Sequence, residues 1–352
     1  MSTEPLEINL SSSGLSHSPC MRNLFYTVVD GYKPKAMPAR MIYGIGVHKF
    51  IHVMYMTGGH IPTARAEAIK AYQSIPMLDD PRSKHLNDFN HMHAVALWTW
   101  EMCVARDEEF EILMLDDKCW YCKGQGESVL SSILGESVDD IQPTVPCTHC
   151  NGFGHRLQPA AEVTYSLPYY QDDFVKINWC GTLDRLGKIK NGIYVIPDWK
   201  TTSSWSEKEY FTQFEMSKAR RGYVLALKLM AERFPDSILG EIGKGVIGTR
   251  FDGIFVKPAI NDVKFARSEV YQLPQEELDE FRTLLDDKCR EISQAVKTGY
   301  IPRQGLVNGS CEGKWGKCDY WVVCQKPKII GEYLLGRDFT KKPFDPLNYN
   351  KE

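Results

Sequence analysis

The sequence lacks several things, and each absence removes a class of protein. It has no run of about 18 or more apolar residues, so no membrane-spanning helix is expected. Its opening, MSTEPLEINLSSSG, lacks the basic segment and apolar stretch of a secretory signal, which leads to an expected cytoplasmic location. Net charge is only -3 over 352 residues, so no global basic field marks a passive coat on a polyanion; a local basic groove is still compatible with that figure. No long internal repeat occurs, and no linker marks a clean boundary. Cysteine is the exception to these shortages. There are eleven, an odd number, and without a secretory signal metal binding outranks disulfides.

At 43% hydrophobic and 25% charged the composition is globular, and the length allows one large domain with insertions or two domains. Residues 39–56 (ARMIYGIGVHKFIHVMYM) predict a helix despite Gly44 and Gly46, and 62–75 and 84–112 predict two more. The first hundred residues should therefore be mainly helical, after a segment at 1–37 that mixes polar loop with a short apolar patch at Leu24, Phe25 and Tyr26. Strands are expected at 161–167, 173–189, 192–201 and 245–257, and helices at 217–234 and 275–299. The expected fold class is α/β, a mixed central sheet flanked by helices. Its four regions are a helical N-terminal part (1–114), a cysteine-containing insert (115–157), a core (158–300) and a C-terminal segment of little periodicity (301–352).

The chemistry concentrates in WCGTLDRLGKIKNGIYVIPDWK, residues 179–200. Asn191-Gly192 is a hairpin signal. A two-residue loop pairs Asp184 with Trp199 and puts the two aspartates on opposite faces. A three-residue loop over Lys190, Asn191 and Gly192 pairs Asp184 with Asp198 and brings Lys200 to the same face. The second register is favoured because it makes chemical sense. Adjacent carboxylates repel unless a cation lies between them, and Mg²⁺ or Mn²⁺ favours such oxygens, activates water and offsets charge on a phosphodiester. A lysine beside them orients the water or stabilises developing negative charge. Asp-x-Lys alone is more often a solvated surface pair; the matched aspartate shifts the balance.

GTLDRL followed by VIPDWKTT resembles the PD-(D/E)XK nuclease superfamily, closest to the RecB-like exonucleases with their CRISPR-associated and phage members. The resemblance implies catalytic roles for Asp184, Asp198 and Lys200. It implies a divalent ion held by His48 (from GIGVHKF), Asp184, Asp198 and the backbone carbonyl of Trp199, with Glu162 a further candidate. His52, one turn from His48, leaves open a zinc-binding histidine pair or two surface histidines. The family's Gln-x-x-x-Tyr helix is matched only at Tyr223, since Ala219 stands in the glutamine position; Arg220 or Arg221 is the expected substitute for positioning DNA.

Two cysteine sets complete the pattern. Cys119, Cys122, Cys147 and Cys150 form two Cys-x-x-Cys knuckles, which together satisfy a tetrahedral zinc; two redox pairs are the alternative. Both continue as Cys-x-x-Cys-x-Gly-x-Gly and so resemble the DnaJ-type zinc module. The second set is Cys311, Cys318 and Cys324, one ligand short of four, with Cys20 the natural fourth. In the RecB-like exonucleases such a set holds a 4Fe–4S cluster that staples the chain ends, and the resemblance implies the same here; zinc or free thiols are the alternatives. Cys103, Cys180 and Cys289 read as buried small hydrophobes.

The expected function is a metal-dependent DNA nuclease, an exonuclease acting on single strands or duplex ends. Basic and aromatic residues (Arg220, Arg221, Tyr223; Lys314, Trp315, Lys317) are candidates for phosphate and base contacts. The alternative is a catalytically vestigial nucleic-acid-binding or assembly subunit, stabilised by its zinc and iron–sulfur sites. No membrane partner is expected, and no protein partner is indicated.

Overall fold

The computed structural model describes residues 4–17, 19–78, 84–105, 107–118, 127–129, 144–146, 155–204, 206–313 and 316–345. The strands that position the site are β1 (Leu6–Leu10), β2 (Phe110–Ile112), β3 (Ala161–Gln171), β4 (Val175–Arg185), β5 (Gly187–Ile189), β6 (Tyr194–Thr202), β7 (Val246–Phe255) and β8 (Lys264–Gln272). The helices around them are α1 (Ala39–Thr57), α2 (Ile61–Gln73), α3 (Phe89–Thr99), α4 (Lys218–Arg233), α5 (Gln275–Thr298) and α6 (Lys328–Asp338). The protein is thus mixed α/β.

The strands form two sheets rather than one. A three-stranded sheet runs β1-β4-β3, and a five-stranded sheet runs β8-β7-β6-β5-β2. The chain crosses from one to the other at Leu186, whose N–H donates to the Ala160 carbonyl (2.9 Å) and whose carbonyl accepts from Leu113 N (3.0 Å). The segment 173–189, expected as one strand, is therefore shared between the sheets as β4 and β5. Beyond it lies the three-residue loop. Gly192 takes φ +78°, and Ile189 N donates to Ile193 O (3.0 Å). Gly187 pairs with Val195 and Lys188 with Tyr194, a register that carried further sets residue 184 opposite 198.

Strands β6 and β7 are parallel, so the chain between them must cross over, and it does so through α4 and a short helix at Ile238–Gly245. The apolar stripe of α4 (Val224, Leu225, Leu227, Met230) packs into one core with Trp179 of β4 and Phe281 and Leu285 of α5. A second core joins α1 and α3 to Trp199 and Ile254 on the five-stranded sheet. Gly44 does not interrupt α1. A Cβ there would lie 2.9 Å from Thr201 Oγ1, so the missing side chain lets the helix lie close to β6.

Three expectations on element bounds are corrected. The helix expected over 84–112 ends with the turn at Trp100–Val104, and 110–112 is instead edge strand β2, paired to β5. The intervening turn is held by Asp107, which accepts from Glu109 N (3.2 Å) and from Arg267 Nη1 (2.9 Å). The N-terminal region contributes a strand as well as helices: β1 runs parallel to β4. The C-terminal segment carries a regular helix, α6, after which Phe339–Lys341 pairs with Tyr32–Pro34 and ties the two ends of the chain together. The insert rises on a two-stranded stem, Met114–Lys118 against His155–Pro159, and its backbone pairs again at 127–129 with 144–146. Cys119, Cys122, Cys147 and Cys150 lie outside the described residues, as do Lys314 and Trp315. Among the described residues, no helix is long and apolar enough to cross a membrane.

Candidate functional site

The residues singled out from the sequence meet where β4 and β6 leave their turn, under α1. The two strands have parted there, and the Trp199 N–H donates to Asp184 Oδ2 (2.9 Å) instead of closing a backbone ladder. Asp198 is fully buried, and Lys200 Nζ lies 2.6 Å from both of its oxygens, with a hydrogen bond to Oδ1. Asp198 Oδ2 is also buried, and its close contact with the same ammonium is an ion pair without hydrogen-bond geometry. From α1, His48 Nδ1 reaches to 3.4 Å of Asp184 Oδ2. The site opens to solvent on one side: the side chains of Lys200, His48 and Asp184 keep 32%, 28% and 18% exposure against 1% for Asp198.

These positions determine the protonation states. Burial pushes the Asp198 carboxyl up to about 7, with Asp184 adding to the rise and Lys200 opposing it. Burial alone would lower the Lys200 ammonium, but Asp198 and Asp184 outweigh it and hold its pKa above the ordinary value. His48 is brought down to about 4, by burial first and then by Lys200, so its imidazole is neutral at neutral pH and free to act as a ligand. Tyr223 of α4 faces the same carboxylates. Burial, then Asp198 and Asp184, keep its phenol protonated.

His52 makes its own close contact, while Glu162 also acts on His48. The His52 Nε2 faces Glu162 Oε2 at 3.6 Å, whereas the close contact of His48 is to Asp184. Glu162 has φ +52°, the left-handed region that costs a non-glycine residue of order 1 kcal/mol or more and that recurs at functional sites. Arg220 and Arg221 are placed elsewhere. Arg220 pairs with Glu277 of α5 (2.5 Å) and donates to the Gln272 carbonyl (3.0 Å), and Arg221 pairs with the same glutamate (3.1 Å). Of the three residues proposed to position DNA, only Tyr223 faces the acids.

The second set of cysteines is also drawn together. A Cβ on Gly305 would lie 2.6 Å from Cys311 Sγ and 3.4 Å from Cys20 Sγ, so both sulfurs crowd that glycine. The Cys318 N–H donates to the Cys311 carbonyl (2.9 Å), and the Asn23 amide donates to Cys318 Sγ (3.5 Å). Burial, with the neighbouring thiols adding to it, pushes Cys318 up to about 11, and Cys324 is raised in the same way despite Arg22 and Arg303 beside it. Lys317 stacks on Trp321, 4.8 Å from the ring centroid. Cys180 and Cys289 are buried as expected, whereas Cys103 is partly exposed.

Among the described residues, no group of three or more His, Cys, Asp or Glu side chains is arranged to hold a metal ion as it stands. The positive charge against Asp198 is that of Lys200. What sequence reasoning missed lies behind the site, where Arg185, Arg250, Arg267, Asp107 and Asp252 form a buried ionic network. Its one visible signal was Arg185 itself, a second charge directly beside Asp184 at the end of β4. Compared with models of protein families and with curated proteins, the sequence matches none.

Proposed function

We propose that the protein is a metal-dependent DNA nuclease of the PD-(D/E)XK type, with exonuclease action on strand ends. The observation that carries this reading is Asp198: a fully buried carboxylate with its pKa raised, whose one cationic partner, Lys200, it shares with a second carboxylate at an opening to solvent. Two carboxylates that share one ammonium raise each other's pKa unless a further cation joins them, so the pair is not there for stability. His48, Asp184, Asp198 and the Trp199 carbonyl would hold a Mg²⁺ or Mn²⁺ ion, and this oxygen-rich set with one imidazole fits such an ion. When bound, the ion lowers the pKa of water and offsets charge on the phosphodiester. Lys200 stays protonated and delivers an N–H and a positive charge where the phosphate gains negative charge. Tyr223 offers a neutral hydroxyl beside the same acids.

On this reading the cysteines are structural. Cys20, Cys311, Cys318 and Cys324 would carry a 4Fe–4S cluster, for which four interacting thiols, two of them against one glycine, and an amide N–H directed at one sulfur are a fitting donor set. The zinc assignment for Cys119, Cys122, Cys147 and Cys150 rests on their spacing. The test is end-labelled DNA incubated with Mn²⁺ under reducing, anaerobic conditions. Wild type should cleave, and Lys200→Ala should lose about 10²–10³-fold in rate. Cleavage absent from both would leave a metal-stapled binding subunit as the better account.

A further inference from the structure

Side chains alternate along a strand, so the residues next to the site's acids point to the reverse face of the sheet. There Arg185, directly after Asp184, lies with its guanidinium carbon 4.1 Å from the ring centroid of Trp199, the residue between Asp198 and Lys200. The indole is 3% exposed and is flanked by Phe265 at 5.7 Å. Arg185 is itself held from several directions: Nη2 by Asp252 Oδ2 (2.5 Å), Nη1 by the Tyr55 hydroxyl (3.3 Å), and its plane by Phe110 (5.2 Å). Asp252 stands opposite Trp199 in the β6–β7 register and also meets Arg250 Nε (3.2 Å) and Arg267 Nε (3.6 Å). The latter two arginines share Asp107.

A buried ion pair is weak evidence for stability, since an apolar replacement often serves as well; what it does impose is a fixed geometry. Here the fixed object is Trp199. Its N–H holds Asp184, and its neighbours in the chain are Asp198 and Lys200, so a shift of the indole would displace all three site groups. We propose that Arg185, locked by Asp252, is a positioning residue of the site, clamping the Trp199 indole from behind so that Asp184, Asp198 and the Trp199 carbonyl keep the spacing a divalent ion needs. This rests on the nuclease reading above. Arg185 touches neither substrate nor metal; it acts through the indole.

The test measures Mn²⁺ affinity by electron paramagnetic resonance, on the full-length protein without nucleic acid and well below its melting temperature. Arg185→Lys keeps the charge but loses the planar stacking surface and forked donors. Weakening of Mn²⁺ binding by about 10–100-fold is expected, the usual consequence of losing a group that orients metal ligands. If Arg185→Lys does not fold, Asp252→Asn, of nearly the same shape, carries the same expectation. A purely structural role would lower the melting temperature and leave affinity within twofold of wild type, and that result overturns the proposal. Asp198→Asn separates the two readings. If it abolishes Mn²⁺ binding while both reverse-face variants bind normally, the clamp alone is wrong. If it leaves binding unchanged, the metal site is wrong and the clamp falls with it.

Discussion

The two faces of β6 use similar residues for opposite purposes. On the front, Asp184 and Asp198 share a single ammonium, that of Lys200, beside His48, and the group opens to solvent. On the reverse, three arginines and two aspartates sit among Trp199, Phe110 and Phe265, each charge meeting an opposite charge or an aromatic face. The reverse face contains more charge, and every charge there has at least one opposite partner. Counting charged residues therefore says little about where chemistry happens; the useful question is whether each charge is matched within the protein.

The comparison can be broken at either face. The largest expected effect is on activity: Asp198→Asn should reduce Mn²⁺-dependent DNA cleavage at least about 10⁴-fold, equivalent to roughly 5 kcal/mol of barrier. Rates near wild type would remove Asp198 from the chemistry. Next is Asp252→Ala, which leaves Arg185 and Arg250 buried without their shared acid. It should cost about 3–5 kcal/mol of stability, read as a lower denaturant midpoint at unchanged slope. Cys318→Ala should lower the soluble yield and the iron content of anaerobically purified protein; unchanged iron and melting temperature would exclude the cluster. The smallest effect sharpens the contrast most. Because burial and Asp184 push the Asp198 carboxyl up to about 7, a neutral amide there escapes that cost, and the inactive Asp198→Asn should be more stable than wild type when metal-free, by about 1 kcal/mol. One acid removed from the front would then stabilise, and one removed from the back would destabilise.

The hairpin was legible because its determinants are local. Asn191-Gly192 supplies the left-handed turn residue, the loop length sets the register, and the period of two places 184, 198 and 200 relative to one another. His48 was legible only through family resemblance, since nothing in the spacing of α1 says which strand it faces. The misplaced elements share a cause. Residues 110–112 become a strand because β5 offers an edge 75 residues later in the chain, with Gly187 paired to Ile112, and β1 forms because β4 lies open to a parallel partner. Arg220 and Arg221 looked like free cations in sequence; folding brings Glu277 of α5 against both.

Read alone, the amino-acid order determined the α/β class, the turn at Gly192 and which acids could face each other, because these depend on backbone preferences over a few residues. Only the tertiary structure decided that β4 and β5 belong to different sheets, that Asp198 meets one lysine while Asp252 meets three arginines, and that Trp199 lies between them. Burial and charge pairing arise from residues far apart in the chain, and their energies exist only once the intervening water has been removed.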